Sequence, residues 1–124
     1  MRKIKLTAGA IEITAELRAT PTAEAIYRSL PLRSQARTWG EEVYFSVPVD
    51  VDLEPDALDV VKPGELAFWV EGQCIAIGFG RTPISEGDEI RLAARTNIWA
   101  DAVDDVKQLG GVKTGDGISL EAVG

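Results

Sequence analysis

The sequence contains no histidine and a single cysteine among its 124 residues. Without histidine, Ser-His-Asp and Cys-His catalysis are excluded, and the commonest transition-metal ligand is missing. One cysteine excludes an internal disulfide and a metal site built from cysteines alone. Because Cys74 stands in an apolar segment with no basic residue shortly before it, we expect it to be a buried packing residue. We therefore predict neither a metal site nor a cofactor.

Positive charge and long apolar runs are also scarce. Thirteen Lys and Arg residues stand against twenty Asp and Glu residues, which gives a formal charge of -7 and a pI near 4.6. This sign of charge opposes binding to nucleic-acid phosphates and to anionic membranes. No stretch approaches the roughly 20 apolar residues of a membrane-spanning helix, and residues 1 to 20 lack a signal-peptide pattern. We expect a cytoplasmic protein that binds neither nucleic acid nor membranes.

The composition is that of an ordinary soluble globular chain. Hydrophobic residues make up 45% and charged residues 27% of the sequence. A chain of this length buries roughly two thirds of its unfolded surface, so a hydrophobic core is sufficient to hold it together. We predict a single domain over residues 1 to 124.

Alternation of apolar and polar residues predicts strands through most of the chain. Eight strands are predicted, at 3–6, 11–17, 33–38, 43–49, 66–70, 74–79, 95–102 and 118–122. Those at 66–70 and 74–79 are almost continuously hydrophobic, which predicts a hairpin at the centre of the fold. A short helix is predicted after Thr20-Pro21, with Thr20 as its cap, and a second helical turn within 104–109. Residues 50–63 are expected to be a long connection with one helical turn. A mainly β, closed eight-stranded barrel follows, because closure removes exposed strand edges.

The alternation also assigns side chains to the inside or the outside of the barrel. The inward set predicted to share one core is Ile13, Phe45, Ile77, Ile98 and Leu120. Trp99 falls on the opposite face, where an uncovered indole is unfavourable. A homodimer interface built on Trp99 and a turn of the same chain folding back over it are both open explanations.

Three sequence segments resemble the cyclophilin-like small-barrel family of uncharacterised bacterial and archaeal proteins. They are Thr38-Trp-Gly-Glu-Glu-Val-Tyr-Phe-Ser-Val-Pro-Val49, Gly64-Glu-Leu-Ala-Phe-Trp69 and Ile77-Gly-Phe-Gly-Arg-Thr-Pro-Ile-Ser85, followed by Asn97. Their order and spacing match over nearly the whole chain. The resemblance implies a closed eight-stranded barrel with two helices, and it implies no established reaction.

The segment from Glu16 to Leu30 is also similar to the corresponding strand and helix of the cyclophilin prolyl isomerases. Continuing that alignment places Arg37 near their catalytic arginine. The aromatic residues of their proline pocket fall on Glu41 or Glu42, on Ala76 and on a loop that this chain lacks. Their pocket histidine falls near Thr96 or Arg95, and Trp69 alone is left to supply an apolar wall.

Arg37 is the candidate catalytic residue of the isomerase hypothesis. Prolyl isomerisation needs no acid, base or nucleophile, because its barrier of about 18–20 kcal/mol comes from amide resonance. A desolvated arginine that donates to the prolyl nitrogen, beside an apolar slot for the ring, would stabilise the twisted amide. The alternative is a solvated arginine paired with Glu41 or Glu42, as is common on an acidic surface.

Polar donors near strand ends supply further candidates. Arg81-Thr82-Pro83, Arg95 and Asn97 are grouped in an otherwise acidic chain and are suited to hold a carboxylate or a peptide carbonyl. Hydrogen bonding of loops by Thr82 and Asn97 is the alternative explanation.

Three functions remain open from the sequence. The leading hypothesis is a binding module for a small molecule or an extended peptide at the barrel surface; its candidate ligand-binding residues are Arg37, Tyr44, Trp69, Arg95 and Asn97. The alternatives are a divergent peptidyl-prolyl isomerase that uses Arg37 and a structural or assembly domain. Fold-level similarity does not separate them, because one barrel hosts unrelated sites.

Overall fold

The computed structural model describes residues 2 to 123, and most of these lie in antiparallel strands. The described chain contains ten strands: β1 (Lys3–Ala8), β2 (Ile11–Leu17), β3 (Leu32–Gln35), β4 (Arg37–Thr38), β5 (Glu42–Ser46), β6 (Leu58–Val61), β7 (Glu65–Trp69), β8 (Cys74–Gly78), β9 (Ile90–Ala102) and β10 (Gly117–Val123). Two helical segments join them: the α-helix α1 (Pro21–Ser29) and a 3₁₀ helix (Val106–Gly111).

Nine strands form a nearly closed barrel in the order β3, β10, β1, β2, β9, β7, β8, β5, β4. The two ends of this series, β3 and β4, are separated along the chain only by Ala36. The Ala36 amide donates to the carbonyl of Asp116 at 2.8 Å. This hydrogen bond holds the break between β3 and β4 against the turn that precedes β10. Counted as one strand, β3 and β4 give the eight strands expected. The prediction of a mainly β barrel with two short helical segments is confirmed.

The first hairpin and helix form where the local sequence predicts them. Leu6 and Ile13 lie opposite each other across β1 and β2, and both are fully buried, as the alternation requires. The Thr20 hydroxyl accepts a hydrogen bond from the Ala23 amide at 3.1 Å and so caps α1, while Pro21 fills its first turn. These elements depend on short-range signals alone, which is why the sequence suffices to place them.

The main core confirms four of the five residues that we expected to find together. These are Ile13, Phe45, Ile77 and Leu120, which are all buried in one hydrophobic cluster. Ile98 was assigned wrongly, because it belongs to a second, smaller cluster.

The cause is an irregularity in the ladder between β7 and β9. Leu66 pairs with Ala100 and Ala67 with Ile98, so Trp99 is an extra residue on β9 and forms a bulge. The bulge reverses the phase of the alternation and turns Trp99 into the main core, where it is fully buried and its Nε1 donates to the Ala67 carbonyl at 3.2 Å. Our expectation of an outward Trp99 is therefore wrong. A homodimer stays a prediction, without Trp99 as its anchor.

Part of the chain forms a second layer outside the barrel. Residues 97–102 of β9 pair with β7 and β2, whereas residues 90–96 pair with β6. We call β6 with residues 90–96 the outer arm. The second hydrophobic cluster joins Ile90 and Leu92 of this arm to Ala67 and Ala76 on the outer face of the barrel. Strand β6 lies where we expected an irregular connection, so that part of the prediction was wrong.

Candidate functional site

A pocket of about 190 Å³ lies between the outer arm and the outer face of β5 and β8. Three aromatic rings (Trp39, Tyr44 and Trp69) and the carboxyl group of Glu42 line it together with Cys74 and small or apolar residues of β8 and the outer arm. We call it the outer pocket. Pockets for drug-sized ligands measure about 300–1,000 Å³, so this one is suited to a single ring or a short chain.

Alternation along β5 supplies one side of the outer pocket. Val43 and Phe45 point into the main core, which leaves Glu42 and Tyr44 on the outer face of the barrel. Tyr44 lies opposite Ala76 on β8, and the small size of that alanine leaves room beside the phenol ring. The pocket therefore exists because β5 presents large side chains outward where β8 presents small ones.

The turn between β4 and β5 places Trp39. Its backbone amide donates to the carbonyl of Glu42 at 3.0 Å. The next residue, Gly40, has φ +60, and a β-carbon there would lie 2.9 Å from the Arg81 carbonyl oxygen. Only glycine fits this conformation and this close approach. The turn thus fixes the backbone of Trp39, which lines the outer pocket together with Glu42.

Glu42 is the unusual group in the outer pocket. Its side chain belongs to a residue only 6% exposed, and its Oε1 has no hydrogen-bond partner within residues 2 to 123. Burial raises the pKa of its carboxyl from 4.5 to about 7. A buried polar atom without a partner costs roughly 1–3 kcal/mol, and such groups are rare in folded proteins. A perturbed carboxyl in a cleft is the kind of residue found at functional sites.

Arg37 lies outside the outer pocket. It is exposed on β4, directly opposite Tyr44 of β5. It lines a separate, polar depression together with Ser34, Thr114 and other residues. Within the described residues Arg37 forms no ion pair with Glu41 or Glu42, so the predicted surface pair is not present.

Arg95 and Asn97 follow one another closely on β9 but have different surroundings. Arg95 is exposed on the outer arm, and its Nε donates to the Ala57 carbonyl at 3.4 Å. It neighbours the residues that line the outer pocket without lining it itself.

Asn97 is fully buried and connects three parts of the chain. Its Oδ1 accepts from the Glu54 amide at 2.8 Å, and its Nδ2 donates to the Thr22 hydroxyl and the Asp52 carbonyl, both at 2.9 Å. These contacts use its side-chain atoms to hold the 50–57 segment against α1 and favour the structural alternative for Asn97.

Thr82, like Asn97, is a buried polar residue that holds a loop through hydrogen bonds. It is buried, its amide donates to the Ser85 hydroxyl at 2.9 Å, and its own hydroxyl bonds to the Arg91 carbonyl. The Arg81 guanidinium donates to the Ser85 carbonyl at 3.3 Å. The loop is therefore held by its own polar groups, and they do not converge on the outer pocket.

Of the five predicted ligand-binding residues, the structure brings Tyr44 and Trp69 together in one cavity. Sequence reasoning missed Trp39 and Glu42 as their neighbours. The alternation along β5 contained the necessary signal, because it places Glu42 on the same face as Tyr44. The sequence instead suggests Glu42 as the replacement of a cyclophilin pocket aromatic or as a partner for Arg37.

Comparison with known proteins identifies the family. A family model described as cyclophilin-like matches residues 2–121. The chain belongs to this cyclophilin-like family. No curated protein matches it.

Solved structures are similar to this chain as well, among them the following two. The first is the hypothetical protein AF2241 from Archaeoglobus fulgidus, solved in solution, with 35% identity and a TM-score of 0.82; the match covers 97% of this chain and 93% of that one. The second is McbB in complex with tryptophan, with 14% identity and a TM-score of 0.68; the match covers 95% of this chain and 44% of McbB. The second similarity shows the fold alone.

Residues 2 to 123 contain neither a metal-binding cluster nor a helix that could span a membrane. No cluster of three or more Cys, Asp or Glu side chains is arranged to hold a metal ion there. In the same part of the chain, no helix is long and apolar enough to cross a membrane.

Proposed function

We propose that this cyclophilin-like protein is a binding module that holds a small organic molecule, or one side chain of an extended peptide, in the outer pocket. One observation carries the proposal: Glu42, whose buried Oε1 has no hydrogen-bond partner within residues 2 to 123, lines the same cavity as Trp39, Tyr44 and Trp69. Apolar walls with few convergent polar groups are typical of ligand sites.

Energetic reasoning supports a ligand in this place. Aromatic side chains provide large apolar contact areas together with specific stacking geometry. A carboxyl group left without a partner destabilises the fold, and a ligand that supplies a donor would offset that penalty. Of the predicted ligand-binding residues, Tyr44 and Trp69 are the ones that we assign to direct contact.

A divergent prolyl isomerase is the second candidate function. One observation favours it: Arg37 stands opposite Tyr44 on the adjacent strand, so a donor neighbours a residue of the outer pocket. Against it, Arg37 is solvent-exposed and lines a different depression. A donor that acts on a prolyl nitrogen needs to be desolvated. We therefore rank the binding module first, and the assembly hypothesis third because Trp99 is buried within its own chain.

Nuclear magnetic resonance of the indole N–H groups tests the binding module directly. Benzyl alcohol and indole are the probes, because each presents one ring to the outer pocket. We expect the signals of Trp39 and Trp69 to shift on titration, and that of the core residue Trp99 to stay in place. A uniform response of all three indoles, or none at millimolar probe, contradicts the proposal.

A pair of variants adds a control. Trp69→Ala removes one wall of the outer pocket and is expected to weaken probe binding at least about tenfold, as loss of a well-packed aromatic contact does. Tyr27→Ala is the matched control, because Tyr27 is also half-buried but lies on α1, with the Arg2 guanidinium 4.5 Å above its ring. Equal losses in both variants would contradict a site at the outer pocket.

A further inference from the structure

We propose that the outer pocket selects an organic ammonium group, the charged end of a free amine or of a lysine side chain, with the carboxylate of Glu42 as its counter-ion. This inference rests on the proposed function, because it names the chemistry of the ligand that the outer pocket holds. Two properties of the site lead to it: an acceptor without a donor in a lining that holds no positive charge, and a wall of aromatic rings.

The missing donor is the first property. An ionised carboxylate only accepts hydrogen bonds, so the buried Oε1 of Glu42 requires an N–H or O–H group. The lining residues supply no Lys or Arg, and the Cys74 thiol already donates to the Gly72 carbonyl at 3.3 Å. An ammonium group offers three donors and a full positive charge, which makes it the strongest partner for this acceptor.

The aromatic walls are the second property. The faces of tryptophan and tyrosine rings carry negative quadrupole density and attract cations, with tryptophan the best of the three aromatic side chains. Two tryptophans and one tyrosine line the same cavity as Glu42. Rings and carboxylate therefore favour the same sign of charge. An anionic ligand would meet repulsion from both, in a chain whose formal charge is already -7.

The size of the cavity narrows the ligand further. A volume of about 190 Å³ holds the ammonium with one ring or one alkyl chain rather than a drug-sized molecule. Both a small aromatic amine and an inserted lysine side chain satisfy this limit. Both ligands present the same chemical group to the pocket, a single ammonium attached to an apolar chain or ring.

The affinity of the outer pocket for an amine should depend on pH, because Glu42 must be ionised to act as the counter-ion. Burial raises the pKa of Glu42 to about 7, so the carboxyl is mostly neutral at pH 5.5 and mostly ionised at pH 8. The other titratable groups of the lining are the Tyr44 phenol and the Cys74 thiol. Two charged residues lie nearby but outside the lining. Glu41, next to Glu42 in sequence, is exposed and accepts a hydrogen bond from the Arg81 amide at 3.2 Å. Arg37, on the adjacent strand β4, lines the separate polar depression. Amine binding should strengthen as the pH rises from 5.5 to 8.

Matched probes and matched variants test the inference. The probes are benzylamine, the neutral benzyl alcohol, the anionic phenylacetate and N-acetyl-lysine methylamide, titrated at pH 8 and followed through the indole signals. The variant is Glu42→Gln, which keeps the shape and removes the charge. Its control is Glu41→Gln, which removes one exposed carboxylate at the next position.

We expect wild type to bind benzylamine at least tenfold more tightly than benzyl alcohol, a preference of about 1.4 kcal/mol. Glu42→Gln should abolish this preference, Glu41→Gln should keep it, and phenylacetate should bind most weakly. Tighter binding of the lysine derivative than of benzylamine assigns the ammonium to a peptide side chain, and the reverse order assigns it to a free amine.

Two results overturn the inference while leaving the proposed function standing. They are equal affinities of benzyl alcohol and benzylamine, and an unchanged amine preference in Glu42→Gln. If no probe moves the Trp39 and Trp69 signals, the proposed function fails as well. Should Glu42→Gln not fold, the wild-type comparison at pH 8 decides, because equal affinities of benzylamine and benzyl alcohol exclude selection of an ammonium group.

Discussion

The indole of Trp69 lies against the backbone of Gly72, where a β-carbon would fall 2.2 Å from Cε3 of the ring. No real contact of this kind is so short, so any side chain at Gly72 must displace the indole. Trp69 is the last residue of β7, and Gly72 belongs to the turn that leads into β8. The lack of a side chain at Gly72 is therefore what allows Trp69 to form a wall of the outer pocket.

Gly72→Ala is predicted to move Trp69 and to weaken ligand binding in the outer pocket. The added methyl group overpacks the turn, for which we expect a loss of about 1–3 kcal/mol in the free energy of unfolding. Urea titration measures the stability, and the indole N–H signal of Trp69 measures the displacement.

Gly117→Ala is the matched control for this substitution. A β-carbon at Gly117 would meet nothing within 4 Å, and its backbone is not in the left-handed region. This control should keep both the Trp69 signal and the probe affinity of wild type. If Gly72→Ala behaves like Gly117→Ala, the contact between Gly72 and Trp69 does not shape the pocket.

Glu42→Gln is predicted to change how stability depends on pH. The pKa of Glu42 rises from 4.5 in the unfolded chain to about 7 in the folded one, so between these values the folded form binds more protons. The free energy of unfolding is therefore highest below pH 4.5, where the carboxyl is neutral in both states. It falls by on the order of 3 kcal/mol as the pH rises through 7.

The glutamine variant cannot ionise, so it should lack this decline and be more stable than wild type at pH 8. Urea titrations at pH 5 and pH 8 measure the effect, with Glu41→Gln as the control that should retain the wild-type slope. Parallel pH profiles for wild type and Glu42→Gln would show that the Glu42 carboxyl is not buried in the way described.

The parts of the fold that the sequence predicts are those that depend on neighbouring residues. The capped helix after Thr20 and the hairpin of β1 and β2 follow from short-range spacing. Trp99 could not be placed, because the bulge that turns it inward arises from the pairing of β9 with β7, some thirty residues earlier in the chain. Strand β6 was missed for the same reason, since the outer arm exists only through its pairing with β9.

The site shows the same division. Tyr44 and Trp69, two of the predicted ligand-binding residues, both line the outer pocket, and the resemblance to cyclophilins is what singles out Trp69. The unusual state of Glu42 could not be predicted, because a buried carboxyl without a partner is a property of the assembled fold. For Asn97, the hydrogen bonds reach from Thr22 to Glu54, and no local pattern encodes contacts at such separations.

Phe45→Ala is predicted to lower the free energy of unfolding by about 3–5 kcal/mol, the usual range for removal of a buried aromatic side chain. Phe45 is 2% exposed and packs in the main core. Leu53→Ala is the control, because Leu53 is 46% exposed and should change stability by no more than about 0.5 kcal/mol. A loss below about 1 kcal/mol for Phe45→Ala would contradict the placement of Phe45 in the core.

Prolyl isomerase activity is predicted to be weak or absent, and Arg37→Ala to leave whatever remains unchanged. Catalysis of this reaction requires a donor and a proline slot that act together on the twisted amide. Here the two are separated: Arg37 is exposed in a polar depression, and the apolar cavity lies around Trp69.

Exchange spectroscopy on Xaa-Pro peptides measures the rate of isomerisation with wild type, Arg37→Ala and Trp69→Ala. Robust catalysis by wild type that is lost in folded Arg37→Ala would replace the binding module by the isomerase. Loss in Trp69→Ala as well would place the proline ring in the outer pocket. A rate that none of the three proteins raises above the uncatalysed one leaves Arg37 as a solvated strand residue, because an arginine already hydrated by bulk water gains little by donating to a prolyl nitrogen.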